Sequence, residues 1–348
     1  MTTIEPVHPV KPRPGDLVAV VSPAAGLPGL FPLPHELGLR RLREDFGLRT
    51  VEYPTTRRMG ATPAERAADL HAAFSDPEVK AVIASIGGDD QITVLPHLNR
   101  ELLRAHPKPF FGYSDNTNLL LYLRDLGMVA YHGGSVMVEW GRPGKLHPAT
   151  AASLRAALFT SGPYELTPAS ASRDVDRPWD DPRTFDSEPR TEPVDGWSWY
   201  GDDRVVEGPG WGGNLEIIAQ LLMAGRIGPS ESHAGQVLFL ETSEDMPRAE
   251  EVYRVLRSMG ERGLLRQFPA LLMGRAKSWS FDQPLDPADK ALFRQRQREA
   301  VLRALREYAP DTMAVFDVDL GHTDPQLVVP VGGNIRVDGP ARRIVVTY

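Results

Sequence analysis

The stretch Phe110-Phe111-Gly112-Tyr113-Ser114-Asp115-Asn116-Thr117 sets a serine on a sharp turn between a short strand and a helix. Residues 109–113 are aromatic and apolar, which predicts a buried strand. From 115 to 126, Leu119, Leu120, Leu123 and Leu126 recur at helical spacing, and Gly127 marks the stop. A hydroxyl at such a junction points out of the turn, and the first N–H groups of the helix face any negative charge that develops there. This is the geometry of a nucleophile elbow. The usual second glycine is replaced by Asn116, so a plain helix cap at Ser114 is an equally good local reading.

Outward from this turn, short apolar runs alternate with helical patterns. Residues 17–22, 48–53, 79–86 and 129–132 read as strands. Residues 36–46 read as a helix closed by Gly47, and Thr62-Pro63-Ala64-Glu65 starts another that runs to about Phe74. A helical turn is expected over 89–95. Such alternation predicts an α/β fold with a mainly parallel sheet flanked by helices, over residues 1–160. In such sheets ligands bind at the carboxyl ends of the strands, where Ser114 and the diglycine turn Gly87-Gly88 both fall.

From 161 to 204 Asp, Arg, Pro and Trp are dense and no period is visible, as in 174–181 and in Trp197-Ser198-Trp199-Tyr200. This reads as a linker and Trp-rich loop, a binding loop or a cover for the domain junction. A smaller, β-rich α/β domain is expected over 205–348. Its helices are read at 213–223, at 248–259 with Gly260 as the stop, and at 287–308. Its strands are read at 236–240, 270–274, 313–318, 327–330, 334–337 and 343–347.

At 348 residues two domains are the natural prior, and a net charge of −7 argues against binding a nucleic-acid polymer. There is no cysteine, hence no thiolate nucleophile and no Cys-type zinc site. No run is long enough to span a membrane, and the Pro-rich residues 1–16 lack an apolar signal core, so a cytoplasmic protein is expected.

Three more segments bear on Ser114. Residues 236–245 form an apolar strand that ends in Glu241-Thr242-Ser243-Glu244-Asp245. Gly321-His322-Thr323-Asp324-Pro325 lies in a loop between strands, and Ala84-Ser85-Ile86-Gly87-Gly88-Asp89-Asp90 ends a strand in the diglycine turn. Together with Gly212-Gly213-Asn214-Leu215, these motifs in this order resemble the serine LD-carboxypeptidase family, which includes murein tetrapeptide carboxypeptidases and microcin C immunity peptidases. The resemblance runs over nearly the whole chain.

A serine hydroxyl needs a base, and the imidazole that serves needs an acceptor on its other nitrogen. Ser114, His322 and Glu241 can supply these parts, with the active site in the interdomain cleft. Among nine histidines, His8, His35, His97, His106, His147 and His233 read as surface residues and His71 as structural. His132, at a strand end, competes with His322; the resemblance favours the Gly-His pair at 321–322. It likewise favours Glu241, with Glu244 and Asp245 as local rivals. For the oxyanion the N–H of Asp115 is one candidate donor, and the resemblance implies the N–H of Gly88 as the second. Asp89-Asp90 and Asp180-Asp181 read as turn or capping residues, so no metal and no cofactor is expected.

The resemblance implies a serine-type carboxypeptidase or amidase, commonly a homodimer, acting on a small peptide or a peptidyl-nucleotide. The motif at 86–90 and the Trp-rich insert look closer to the immunity branch. Asp89, Trp179 and Trp197 are then the expected substrate contacts, with an indole stacked on a base. The murein branch is the alternative. Two other classes compete. Gly87-Gly88-Asp89 is similar to the loop of NAD and diacylglycerol kinases, but Asp90 stands where their next glycine would be. A noncatalytic small-molecule binding protein would explain a cleft but not the set Ser114, Glu241 and His322.

Overall fold

The computed structural model describes residues 6–348, and two sheets organise them. The first has six strands in the spatial order Val329–Val331, Ala130–His132, Phe110–Gly112, Val79–Ala84, Leu17–Val21, Arg49–Glu52. Every neighbouring pair is parallel except the edge pair, where Val329–Val331 runs antiparallel to Ala130–His132. The central strands are buried but for Lys80 near the start of Val79–Ala84, as expected where helices cover both faces. The helix Pro63–Ser75 is started by a capping box between Thr62 and Glu65 with proline in the first turn. The helix expected from residue 36 begins at Pro32, because Pro32 and Pro34 sit in a first turn that needs no N–H donors.

The second sheet has eight strands and is mixed. Four parallel strands, Val205–Asn214, Val237–Glu241, Ala270–Gly274 and Met313–Val318, form its centre. Antiparallel strands extend both sides. Residues 213–214, read above as the start of a helix, end the long strand instead, and the helix runs Leu215–Met223. Gly212 and Gly213 adopt φ of +147° and +141°, and a Cβ on Gly212 would collide with the Phe239 carbonyl. Gly260, read above as a helix stop, lies inside the helix Ala249–Glu261, where its bare Cα packs on the Tyr308 ring. Gly263, at φ +69°, follows the helix end.

The chain crosses between the sheets. After Met313–Val318 in the second sheet it passes through the loop that carries His322 and enters the first sheet at Val329. The apolar core is continuous across both sheets, so the two halves are held in one arrangement by packing. Among the described residues no helix is long and apolar enough to cross a membrane.

Candidate active site

Ser114 sits in the left-handed region at φ +62°, strain of order 1–3 kcal/mol for a non-glycine residue. Its neighbours hold it there. The Asn116 amide donates to the carbonyls of Ile86 and Tyr113, both at 3.0 Å, and accepts from Gln91 Nε2 at 2.8 Å. The Gln91 side-chain oxygen accepts from the Leu119 N–H at 3.1 Å, and the Asp115 carboxylate accepts from the Gln91 N–H at 2.9 Å. Asn116 therefore replaces the missing glycine with a bracket that ties the elbow to the diglycine turn. Burial pushes the Asp115 carboxyl up to about 6.

The diglycine turn lies directly on the serine. A Cβ on Gly87 would come within 2.9 Å of both Cβ and Oγ of Ser114, and one on Gly88 within 2.9 Å of Ala24 Cβ. Neither glycine has a positive φ, so close approach is what requires them. The Asp115 N–H belongs to the first turn, where no intrahelical acceptor exists. Among the described residues, the N–H groups of Gly88 and Asp115 are not engaged by any turn, loop or side-chain acceptor.

Glu241 ends the strand Val237–Glu241 and is fully buried. Its Oε2 is 2.5 Å from His322 Nδ1, and its Oε1 is 3.8 Å from Nε2 of the buried His132. Burial opposes the Glu241 charge, but the His322 imidazolium with its hydrogen bond, and the nearby His132, win and hold the carboxyl at about 2. Burial likewise opposes the His322 charge, and the Glu241 and Glu244 carboxylates override it to raise the imidazole to about 9. Gly321 makes this approach possible. It has φ +88°, and a Cβ there would lie 2.5 Å from Glu241 Oε2. The Tyr113 ring stands edge-on to His322, with centroids 5.0 Å apart.

His322 Nε2, the nitrogen a serine must reach, lies 3.3 Å from Glu244 Oε2, and Glu244 is mostly exposed. Among the described residues Ser114 Oγ makes no hydrogen bond to either ring nitrogen. The two rivals of Glu241 thus take different places. Glu244 caps the far nitrogen, while Asp245 is near it, its carboxyl raised by burial and by Glu244. Sequence reasoning missed two buried carboxyls around the pair. Burial and then the Glu241 charge raise Glu216 to about 7, and burial raises Glu139 to about 7. Glu216 accepts from the N–H and hydroxyl of Ser243 at 2.8 and 2.7 Å, which fixes the loop after Glu241.

A cavity of about 530 Å³ opens beside His322, lined by Tyr113, Glu244, Trp179, Phe31 and Phe281 among others. Trp179 stands edge-on to Phe31 at 5.9 Å. Trp197 does not line the cavity: its indole N–H donates to Asp319 Oδ2 at 2.9 Å and its ring packs on the core. Asp89 is exposed and also lies outside the lining, whereas Asp90 is tied to Arg66 by two bonds of 2.7 and 2.9 Å. Asp181 caps a short turn through the Arg183 N–H, and Asp180 lines the cavity. Two histidines read as surface residues are buried. His35 pairs with Glu52 at 2.8 Å, and His233 packs between Trp211 and Phe268. His71 is structural, accepting the Asn99 N–H at 2.9 Å.

The insert 161–204 is an anchored wall of this cavity. Asp174 binds Lys290 at 2.6 Å, Arg294 at 2.8 Å and the Ser278 hydroxyl at 2.5 Å, and Asp176 pairs with Lys277 at 2.8 Å. The density of Asp and Arg in the sequence signalled such pairing, but not which basic partners 100 residues away would meet it.

An α/β chain with a strained serine elbow and a buried Glu–His pair has the parts of a serine hydrolase. The chain matches the LD-carboxypeptidase N-terminal domain over residues 18–133 and the LD-carboxypeptidase C-terminal domain over 207–337. It is 27% identical over 348 aligned positions to the probable murein peptide carboxypeptidase of Bacillus subtilis, covering 95% of this chain and 92% of that one. It is 25% identical to the microcin C7 self-immunity protein MccF of Escherichia coli, covering 82% and 79%. An MccF-like protein from Streptococcus pneumoniae, solved in complex with AMP, has the same fold, with a TM-score of 0.84 at 23% identity over 96% of this chain and 99% of that one. The chain belongs to the LD-carboxypeptidase family and is a hydrolase of the peptidase class. Family membership removes the kinase reading of Gly87-Gly88-Asp89 and the reading of the chain as a noncatalytic binding protein.

Proposed function

We propose that Ser114, His322 and Glu241 form a Ser-His-Glu triad that cleaves a C-terminal amide bond, of the peptidyl-nucleotide type cut by microcin C immunity peptidases. The observation that carries this is the 2.5 Å His322–Glu241 pair, in a fold whose serine is held at φ +62° under a diglycine turn. Glu241 fixes the tautomer with Nδ1 protonated and stabilises the imidazolium. His322 Nε2, once neutral and released from Glu244, takes the Ser114 proton as Oγ attacks the amide carbon. The oxyanion is received by the N–H groups of Gly88 and Asp115, each such donor being worth about 2.7–4 kcal/mol. Collapse breaks the C–N bond, and His322 returns the proton to the leaving nitrogen. Water then attacks the acyl-serine by the same route.

The lean to a nucleotide rests on Trp179, whose indole lines the cavity and can stack on a base, a contact worth about 1–3 kcal/mol. The homodimer is proposed on the family resemblance, and light scattering of the purified chain tests it. The substrate reading is tested by mass spectrometry, with wild type and Ser114→Ala incubated with an aspartyl-nucleotide amide and with an L,D-murein tetrapeptide. Cleavage of the nucleotide amide by wild type alone is expected. Loss of the terminal D-alanine without nucleotide cleavage would assign the chain to the murein branch.

A further inference from the structure

The wall of the cavity nearest the His322 loop carries a guanidinium that no carboxylate claims. Arg173 lines the cavity and is half-buried. Its backbone is stitched to the histidine loop, since its N–H donates to the Asp324 carbonyl at 2.7 Å and its carbonyl accepts from the Asp324 N–H at 2.9 Å. Asp324 lies two residues beyond His322, so the root of the Arg173 side chain is fixed relative to the proposed base.

The carboxylates around it are already engaged. Asp324 accepts from Arg142 Nε at 2.8 Å, Asp174 is held by Lys290 and Arg294, and Asp176 by Lys277. Its neighbour Arg177 donates to the carbonyls of Thr184, Ser187 and Glu188. Among the described residues, the Arg173 side chain has no such partner. Burial lowers its pKa against the raising charges of Asp324 and Asp176, which are paired with Arg142 and Lys277 and do not bond the guanidinium. An anionic ligand group supplies what is missing, and guanidinium matches both carboxylate and phosphate in a bidentate way.

We propose that Arg173 is a specificity residue that receives an anionic oxygen group, carboxylate or phosphate, on the part of the substrate lodged beside Trp179. This deepens the hydrolase reading and rests on it only for the placement of the substrate. A ring face and a free cation in one cavity suit a nucleoside phosphate, with the indole against the base and the guanidinium on the phosphate.

Calorimetry in a Ser114→Ala background, where bound ligand is not consumed, tests the proposal. The probes are AMP against adenosine, and an L,D-tetrapeptide against its C-terminal amide. Arg173→Gln is expected to weaken at least one charged probe roughly ten- to a hundredfold and leave its neutral counterpart unchanged. Arg173→Lys should recover part of the loss. Which pair responds identifies the anion as phosphate or carboxylate. The proposal is overturned if charged and neutral probes weaken alike, or if neither pair shows charge-dependent binding. Hydrolysis by wild type and Ser114→Ala is followed separately, so a failure of the triad leaves this result standing on its own.

Discussion

For Ser114 to lose its proton, Nε2 of His322 has to be unprotonated and free to turn toward it. In this structure His322 is gripped by Glu241 on one nitrogen and approached by Glu244 on the other. Glu216, Asp245 and Glu139 add carboxyl groups nearby, and Tyr113 and His132 complete the surround. A histidine raised to about 9 is protonated, and so inactive as a base, at neutral pH. The acid limb of kcat/KM for wild type is therefore expected to lie on the alkaline side of neutrality, with activity rising as pH passes through the imidazole pKa. Glu244→Gln removes one raising charge and should move that limb to lower pH, by about one unit or less given the exposure of Glu244. A pH profile of both proteins checks this, and an unmoved limb would show that Glu244 does not act on His322. Glu241→Gln should cost roughly 10³–10⁴ in kcat through loss of the tautomer and of imidazolium stabilisation, read by steady-state kinetics.

At the scale of elements, the site is assembled from strand ends and the turns that follow them. Phe110–Gly112 delivers Ser114, Val79–Ala84 delivers the diglycine turn, and Val237–Glu241 delivers the glutamate. Gly87 faces the serine and Gly88 faces Ala24, so the two glycines fail differently when filled. A methyl on Gly87 crowds Ser114 itself, whereas Gly88→Val pushes the turn off Ala24 and withdraws its N–H from the proposed oxyanion position. We expect Gly88→Val to lose 10²–10³ in kcat with a melting temperature close to wild type; near-normal turnover would remove Gly88 from the mechanism. Much of this was legible beforehand. The elbow, the alternation of the first half, and the bounds Pro287–Tyr308 and Arg343–Thr347 follow from local periodicity and cap residues. What was not legible is partnership. A three-residue run such as Val329–Val331 does not say which sheet it joins, and Gly213-Asn214 looks like a helix start until the preceding Gly212 is placed against the Phe239 carbonyl. Gly260 misleads for the same reason, because the Tyr308 ring it accommodates is 48 residues away in the chain.

For the whole molecule, the cavity exists because the insert is pinned to the second half. Asp174 is the pin. Burial opposes its charge, but Lys290, Ser278 and Arg294 hold its carboxyl at about 2. A depressed carboxylate contributes stability above its unfolded pKa of about 3.9 and loses it as pH falls toward 2. Asp174→Ala leaves Lys290 and Arg294 facing one another without a counter-charge, a defect of about 3–5 kcal/mol for a buried pair. We expect proteolysis within 161–204 to accelerate, and KM to rise more than kcat falls, since the proposed triad lies on other elements. An unchanged cleavage pattern would mean that the wall is held by something else. The central claim is that Ser114 is the nucleophile activated by His322 and Glu241. Its most direct test is labelling with a serine-directed fluorophosphonate, read by intact mass and peptide mapping. The account predicts a single adduct on Ser114, lost in Ser114→Ala and strongly slowed in His322→Ala and Glu241→Gln. An adduct elsewhere, or labelling of Ser114 in His322→Ala and Glu241→Gln at the wild-type rate, would contradict it.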